Sequence, residues 1–150
     1  MPVQHVDPAA IVIWRWESAF VALIAGAAVA VPLTPIAPAV APVIGVAVAV
    51  LGIVFAWFWP AAKYRCLKYG IDEFGLMIQE GVWWRVQIAL PRVRIQHSDV
   101  SQGPLERRYG LATLKLYTAG SRFTKVELEG LPHEEAIALR DTLLSRAHVG

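Results

Sequence analysis

Residues 18–62 read SAFVALIAGAAVAVPLTPIAPAVAPVIGVAVAVLGIVFAWFWPAA, 45 consecutive positions without one charged side chain. A lipid-spanning helix uses about 20 mostly apolar residues, because the hydrocarbon layer is roughly 30 Å thick and a helix rises about 1.5 Å per residue. The run is too long for one span and suits two with a tight connection. Spans are expected at about 17–33 and 39–59, divided by Pro32, Pro35 and Pro38, with Pro42 just beyond. Proline lacks an amide proton and clashes with the preceding turn, so such a cluster ends one helix and begins another.

Outward from this run the composition changes on both sides. Residues 1–17 form a short amphipathic stretch, in which Asp7 and Pro8 make a helix-start pair and Ile11, Ile13, Trp14 and Trp16 suit the membrane–water interface. It is expected to be an interfacial segment of its own. It lacks the basic n-region of a cleavable signal peptide, and a second apolar segment follows at once. Residues 63–150 hold 13 of the 14 Lys and Arg and 10 of the 12 Asp and Glu, a net charge of +3. That balance is too mild for a nucleic-acid partner. The single cysteine, Cys66, excludes an intrachain disulfide and a multi-cysteine metal site.

Orientation is read from the flanks. The connection at 33–38 is uncharged, whereas the exit of the second span is followed by Lys63, Arg65 and Lys68. Basic residues close to a span stay cytoplasmic, so a multi-pass protein of the inner or plasma membrane with both termini in the cytoplasm is expected. Small residues recur every four positions, Ala22, Gly26 and Ala30 in the first span and Ala41, Gly45 and Ala49 in the second. Each set offers a flat helix-packing face, for the other span or for a partner's helix.

After the spans the period changes to two. In 82–90, Val82, Trp84, Val86, Ile88 and Leu90 alternate with Trp83, Arg85, Gln87 and Ala89, the pattern of a strand with one buried face. Leu67/Tyr69/Ile71, Leu76/Ile78, Ala112/Leu114/Leu116 and Val126/Leu128 repeat it. Turn signals at 72–75, Glu80-Gly81, Gly103-Pro104 and Ala119-Gly120 separate these runs and argue for an antiparallel sheet. An amphipathic helix over about 132–146, with Ala136, Ile137, Leu139, Leu143 and Leu144 on one stripe, is expected to plug the open side of that sheet.

The stretches RIQHSDV (94–100), QGPLER (102–107), YGLATL (109–114) and YTAG (117–120), with the DEFGL turn at 72–76, resemble the bacterial membrane-anchored pleckstrin-homology-like (PH-like) proteins of the YdbS/YdbT type. The resemblance covers nearly the whole chain. It implies a two-helix transmembrane hairpin over 18–62, then a cytoplasmic PH-like antiparallel β-barrel or sandwich over 63–150, capped by a C-terminal α-helix. It also implies a partner, a related membrane protein carrying several PH-like domains, and an association with envelope stress or antimicrobial resistance. The family brings no catalytic residues and no cofactor.

The residues themselves offer little for chemistry. In a strand His97 and Asp99 share a face and Ser98 points away, so His97-Ser98-Asp99 makes a polar rim rather than a triad. His133 lacks the second histidine four residues on that a zinc helix needs, because position 137 is Ile. No catalytic, cofactor or metal site is expected. The basic residues Lys63, Arg65, Lys68, Arg92, Arg94, Arg107 and Arg108 are candidates for lipid-headgroup contact, each contributing roughly 1 kcal/mol near an anionic leaflet. Trp83, on the face opposite the core, is a candidate contact with the bilayer or a partner. The sequence thus favours a non-catalytic, membrane-tethered interaction module, working with the multi-domain relative or as a homo-oligomer. Recognition or handling of anionic phospholipid headgroups is the alternative.

Overall fold

A computed structural model describes residues 3–119 and 124–145. Its elements divide into two compact units, residues 11–62 and residues 1–10 with 63–150.

The first unit is a pair of helices, α1 (Ala9–Leu33) and α2 (Ala41–Cys66), whose ends extend into the second unit. Both are long and apolar enough to cross a membrane, with mean hydropathy of 1.7 and 2.4 in their most apolar windows. Only 11% and 17% of those windows is buried, which separates them from the core helices of a soluble protein. The two small-residue faces pack on each other. A side chain at Gly26 would sit 2.7 Å from the Gly45 carbonyl oxygen, and one at Gly45 would sit 2.6 Å from the Ala30 β-carbon. One at Gly52 would sit 2.6 Å from the Ala22 β-carbon. Only glycine permits this antiparallel approach. Nearer the charged end, the Arg15 guanidinium lies 4.3 Å from the centre of the Trp57 ring, a cation–π contact across the pair.

Two boundaries differ from expectation. The stretch up to Glu17 is not a separate segment, because α1 runs unbroken from Ala9; Trp14 to Ser18 contains no residue that stops a helix. Its start is as read, with the Asp7 carboxylate accepting the Ala9 N–H at 2.8 Å. Helix α2 continues to Cys66, past Pro60.

The second unit is a sandwich of two antiparallel sheets rather than a closed barrel. One sheet has the order β1 (Gln4–His5), β2 (Lys68–Ile71), β3 (Gly75–Glu80), β4 (Val86–Pro91). The other has the order β5 (Ile95–Ser101), β6 (Leu111–Thr118), β7 (Lys125–Pro132). A 3-10 turn, Arg92–Arg94, links the sheets, and a short helix α3 (Pro104–Tyr109) links β5 to β6. Gly103-Pro104 therefore opens a helix as well as ending a strand. The Glu106 carboxylate holds that start, accepting the Gly103 N–H at 2.6 Å and the Thr113 hydroxyl at 2.6 Å.

The core follows the alternation. Leu76, Ile78, Ile88 and Leu90 come from the first sheet, and Leu114, Leu116, Val126 and Leu128 from the second. Ala136, Leu139 and Leu143 come from the closing helix α4 (His133–Ser145). Gly120 of the fourth turn signal and Arg146 at the expected helix end lie outside the described residues.

Two part-buried sets of polar contacts tie α4 to the first sheet and its flanking turns. The Tyr69 hydroxyl donates to Glu135 at 2.7 Å, and burial, reinforced by that carboxylate, raises the phenol's pKa well above its usual value. Arg92 donates to the carbonyls of Asp72 (2.8 Å) and Thr142 (3.3 Å). The N-terminus is part of the same body. The Asp7 N–H donates to the Gly130 carbonyl at 2.8 Å, and β1 pairs with β2 at Gln4↔Tyr69 and His5↔Lys68.

Candidate functional site

Strand polarity gives the first sheet two distinct ends. β2 begins two residues after Cys66, β3 returns, and β4 leaves again, with Lys68↔Gln79 and Glu80↔Val86 in register. The 81–85 connection therefore lies at the end where α2 joins the sheet. The 72–75 turn lies at the other.

At the joining end the loop departs from expectation. The strand read over 82–90 begins only at Val86, which is itself exposed, its buried face is confined to Ile88 and Leu90, and 82–85 is a hairpin loop. Gly81 starts it with φ +107, where a β-carbon would overlap the Trp84 carbonyl oxygen. Alternation has no meaning inside such a turn, so Trp84 does not join the core. It is 85% exposed and Trp83 beside it 81%.

Next to this tip is a cavity of about 250 Å³ lined by Arg65, Lys68 and Arg85, with Glu80, Gln79 and Gln87. Cys66 also lines it. Among the described residues none of the three cations is within ion-pair distance of a carboxylate. Arg85 is not among the sequence candidates, because a strand over 82–90 makes it one of several outward polar residues. Only the fold sets it apart, because β4 begins at Val86 and leaves 81–85 as a loop.

The other candidate cations scatter. Lys63 forms an ion pair with Glu129 at 2.9 Å. Arg92 is buried and spent on two backbone carbonyls, so it is a structural residue with no access to a lipid. Arg94 is exposed at the end of the 3-10 turn, and Arg107 and Arg108 are exposed on α3. None of them lines the cavity.

At the opposite end Phe74 and Val93 are 82% and 89% exposed. The turns that carry them are tied by the Arg92 N–H donating to the Phe74 carbonyl at 3.1 Å. The Asp72 carboxylate shapes this turn, accepting the N–H groups of Phe74 and Gly75 at 2.9 Å each. Beside it is an apolar cavity of about 210 Å³, lined by Leu76, Met77, Ala89, Leu90 and Pro91 among others.

His97 and Asp99 meet at 3.0 Å on the exposed face of β5, and Ser98 is buried on the other, as the strand geometry required. Among the described residues no group of three or more His, Cys, Asp or Glu is placed to hold a metal.

The family model for the bacterial PH domain matches residues 10–147. The chain is 29% identical over 169 aligned positions to the UPF0699 transmembrane protein YdbS of Bacillus subtilis (strain 168). That alignment covers 99% of this chain and 94% of the relative. No solved structure matches. The sandwich with its closing helix, the apolar helix pair and the near-complete family match lead to one assignment: the chain belongs to the bacterial PH-domain family and is a membrane-associated PH-like protein of the YdbS type.

Proposed function

We propose that this chain is a non-catalytic interaction module tethered to the cell membrane by two spans, with both termini cytoplasmic. In this reading its sandwich binds a related membrane protein carrying several PH-like domains, in a system that guards the envelope against stress or antimicrobial agents. The observation that carries the reading is the apolar end of the first sheet. Phe74, exposed and lining an apolar cavity, and the exposed Val93, on the turn bonded to it, lie at the end of the sheet farthest from its junction with α2. Isolated exposed apolar residues are ordinary, but two on hydrogen-bonded turns, one of them lining an apolar recess, have the makings of a protein-binding surface.

Gentle purification of the full-length protein from cells that retain its genomic neighbours tests the reading. A multi-domain PH-like membrane protein is expected to come with it, and Phe74→Asp with Val93→Asp is expected to release that partner. Recovery of a lone monomer in several mild detergents contradicts the reading, as does a partner indifferent to the double substitution.

A further inference from the structure

The joining end of the first sheet carries a different chemistry. We propose that the β3–β4 hairpin is a second, peripheral membrane anchor, in which Trp83 and Trp84 enter the headgroup layer while Arg65, Lys68 and Arg85 receive the phosphate of an anionic phospholipid. The inference goes beyond the partner-binding reading and does not depend on it.

Three observations converge. Trp83 and Trp84 are the two most exposed tryptophans among the described residues, and they are adjacent on one loop tip. In water that arrangement leaves two large rings uncovered. At a bilayer interface it is the favoured one, because the ring is half buried and its N–H stays wet.

The adjoining cavity is cationic. Three positive side chains face one carboxylate, Glu80, and none of the three is neutralised by a described acidic partner. Its volume of about 250 Å³ is a little below that of pockets for drug-sized molecules, and Gln79 and Gln87 add amide donors for phosphate oxygens.

The third observation is chain length. Arg65 follows Ala62, the last residue of the uncharged run, by three positions. Even fully extended, three residues reach only about 11 Å. One wall of the cavity is thus bound by covalent connection to stay near the place where α2 leaves the lipid. A soluble anion needs no such proximity, and a protein ligand would not call for paired interfacial tryptophans. A lipid phosphate accounts for both.

The test uses the purified full-length protein in nanodiscs, with no other protein present. One set of discs contains phosphatidylcholine alone, the other phosphatidylcholine with phosphatidylglycerol. Both include a lipid brominated near the headgroup, which quenches tryptophan fluorescence on contact. The share due to the hairpin is the difference between the parent protein and Trp83→Tyr/Trp84→Tyr, since Trp14, Trp16, Trp57 and Trp59 are common to both.

That share is expected to be at least about two-fold larger in the anionic discs and to shrink as salt is raised. Arg65→Gln/Lys68→Gln/Arg85→Gln, which removes no described ion pair, is expected to abolish the difference between lipids while leaving the circular dichroism unchanged. A hairpin share that is zero in both discs, or equal in both, overturns the inference. So does a triple variant that keeps the lipid preference. None of these outcomes bears on partner binding by Phe74 and Val93.

Discussion

The helix pair and the sandwich solve the same packing problem in opposite ways. Along the uncharged run of the pair the small residues are inside, with Ala22, Gly26, Ala41 and Gly45 buried while Phe20, Leu51, Phe55 and Phe58 are exposed. In the sandwich the large residues are inside: Leu76, Ile78, Leu114, Leu116 and Leu128 are almost wholly buried. The difference reflects the solvent. Water drives large apolar side chains inward, roughly in proportion to the area hidden. Lipid tails offer no such gain, so helices associate through close backbone approach, and bulk goes outside.

Substitutions in the two regions should therefore follow different rules. The largest effect belongs to the sandwich core, where Leu114→Ala empties space between tightly packed neighbours and is expected to cost about 2–5 kcal/mol. Thermal unfolding followed by the β signal in circular dichroism measures it. A cost near zero would mean that the sheets are not packed as described. In the pair the damaging change runs the other way. Gly45→Leu adds a side chain whose β-carbon alone would sit 2.6 Å from the Ala30 β-carbon and 3.1 Å from the Gly26 carbonyl oxygen, at an expected cost of about 1–3 kcal/mol. Loss of helix–helix contact on titration from a mild detergent into a harsh one reports it.

A smaller effect is expected at the tie between the first sheet and α4. Tyr69→Phe removes one hydrogen bond to Glu135, about 1 kcal/mol at neutral pH. The pH dependence has a definite sign. The folded phenol's pKa lies above its ordinary value of 10.0, so the neutral form contributes stability that is complete below about pH 10 and is lost as pH rises beyond it. The parent protein should lose its advantage over Tyr69→Phe in that alkaline range, as seen in paired unfolding midpoints. The smallest effect completes the contrast: Leu51→Ala, on the outward face of α2, should change stability by less than about 0.5 kcal/mol. The same substitution at Leu114 should be several times worse.

Much of this architecture was legible in the residues, because long regular patterns report their surroundings. The uncharged run gave two helices, and period two gave the core of both sheets. Asp7 announced the start of α1 through its side-chain oxygen. What escaped lies where local pattern is short or tertiary context decides. Strand β1 is two residues long, and its pairing partner is more than sixty positions away. Helix α3 spans six residues, too few for a helical period to show. Trp84 continued an alternation that the backbone abandons at Gly81. The basic residues were read as one set, although burial and ion pairing divide them among separate tasks and assign Arg85 to the cavity. Charge can be counted along a chain, but its availability depends on neighbours that only the fold supplies.

The proposed topology, with two spans and both termini cytoplasmic, is tested most directly by cysteine labelling in a Cys66→Ser background. Ile36→Cys lies in the turn between α1 and α2, and Trp83→Cys lies at the hairpin tip of the sandwich. With a membrane-impermeant maleimide added to intact protoplasts, Ile36→Cys should label at once, and Trp83→Cys only after the membrane is broken. Labelling of Trp83→Cys in intact protoplasts, or equal labelling of both positions, would contradict the account.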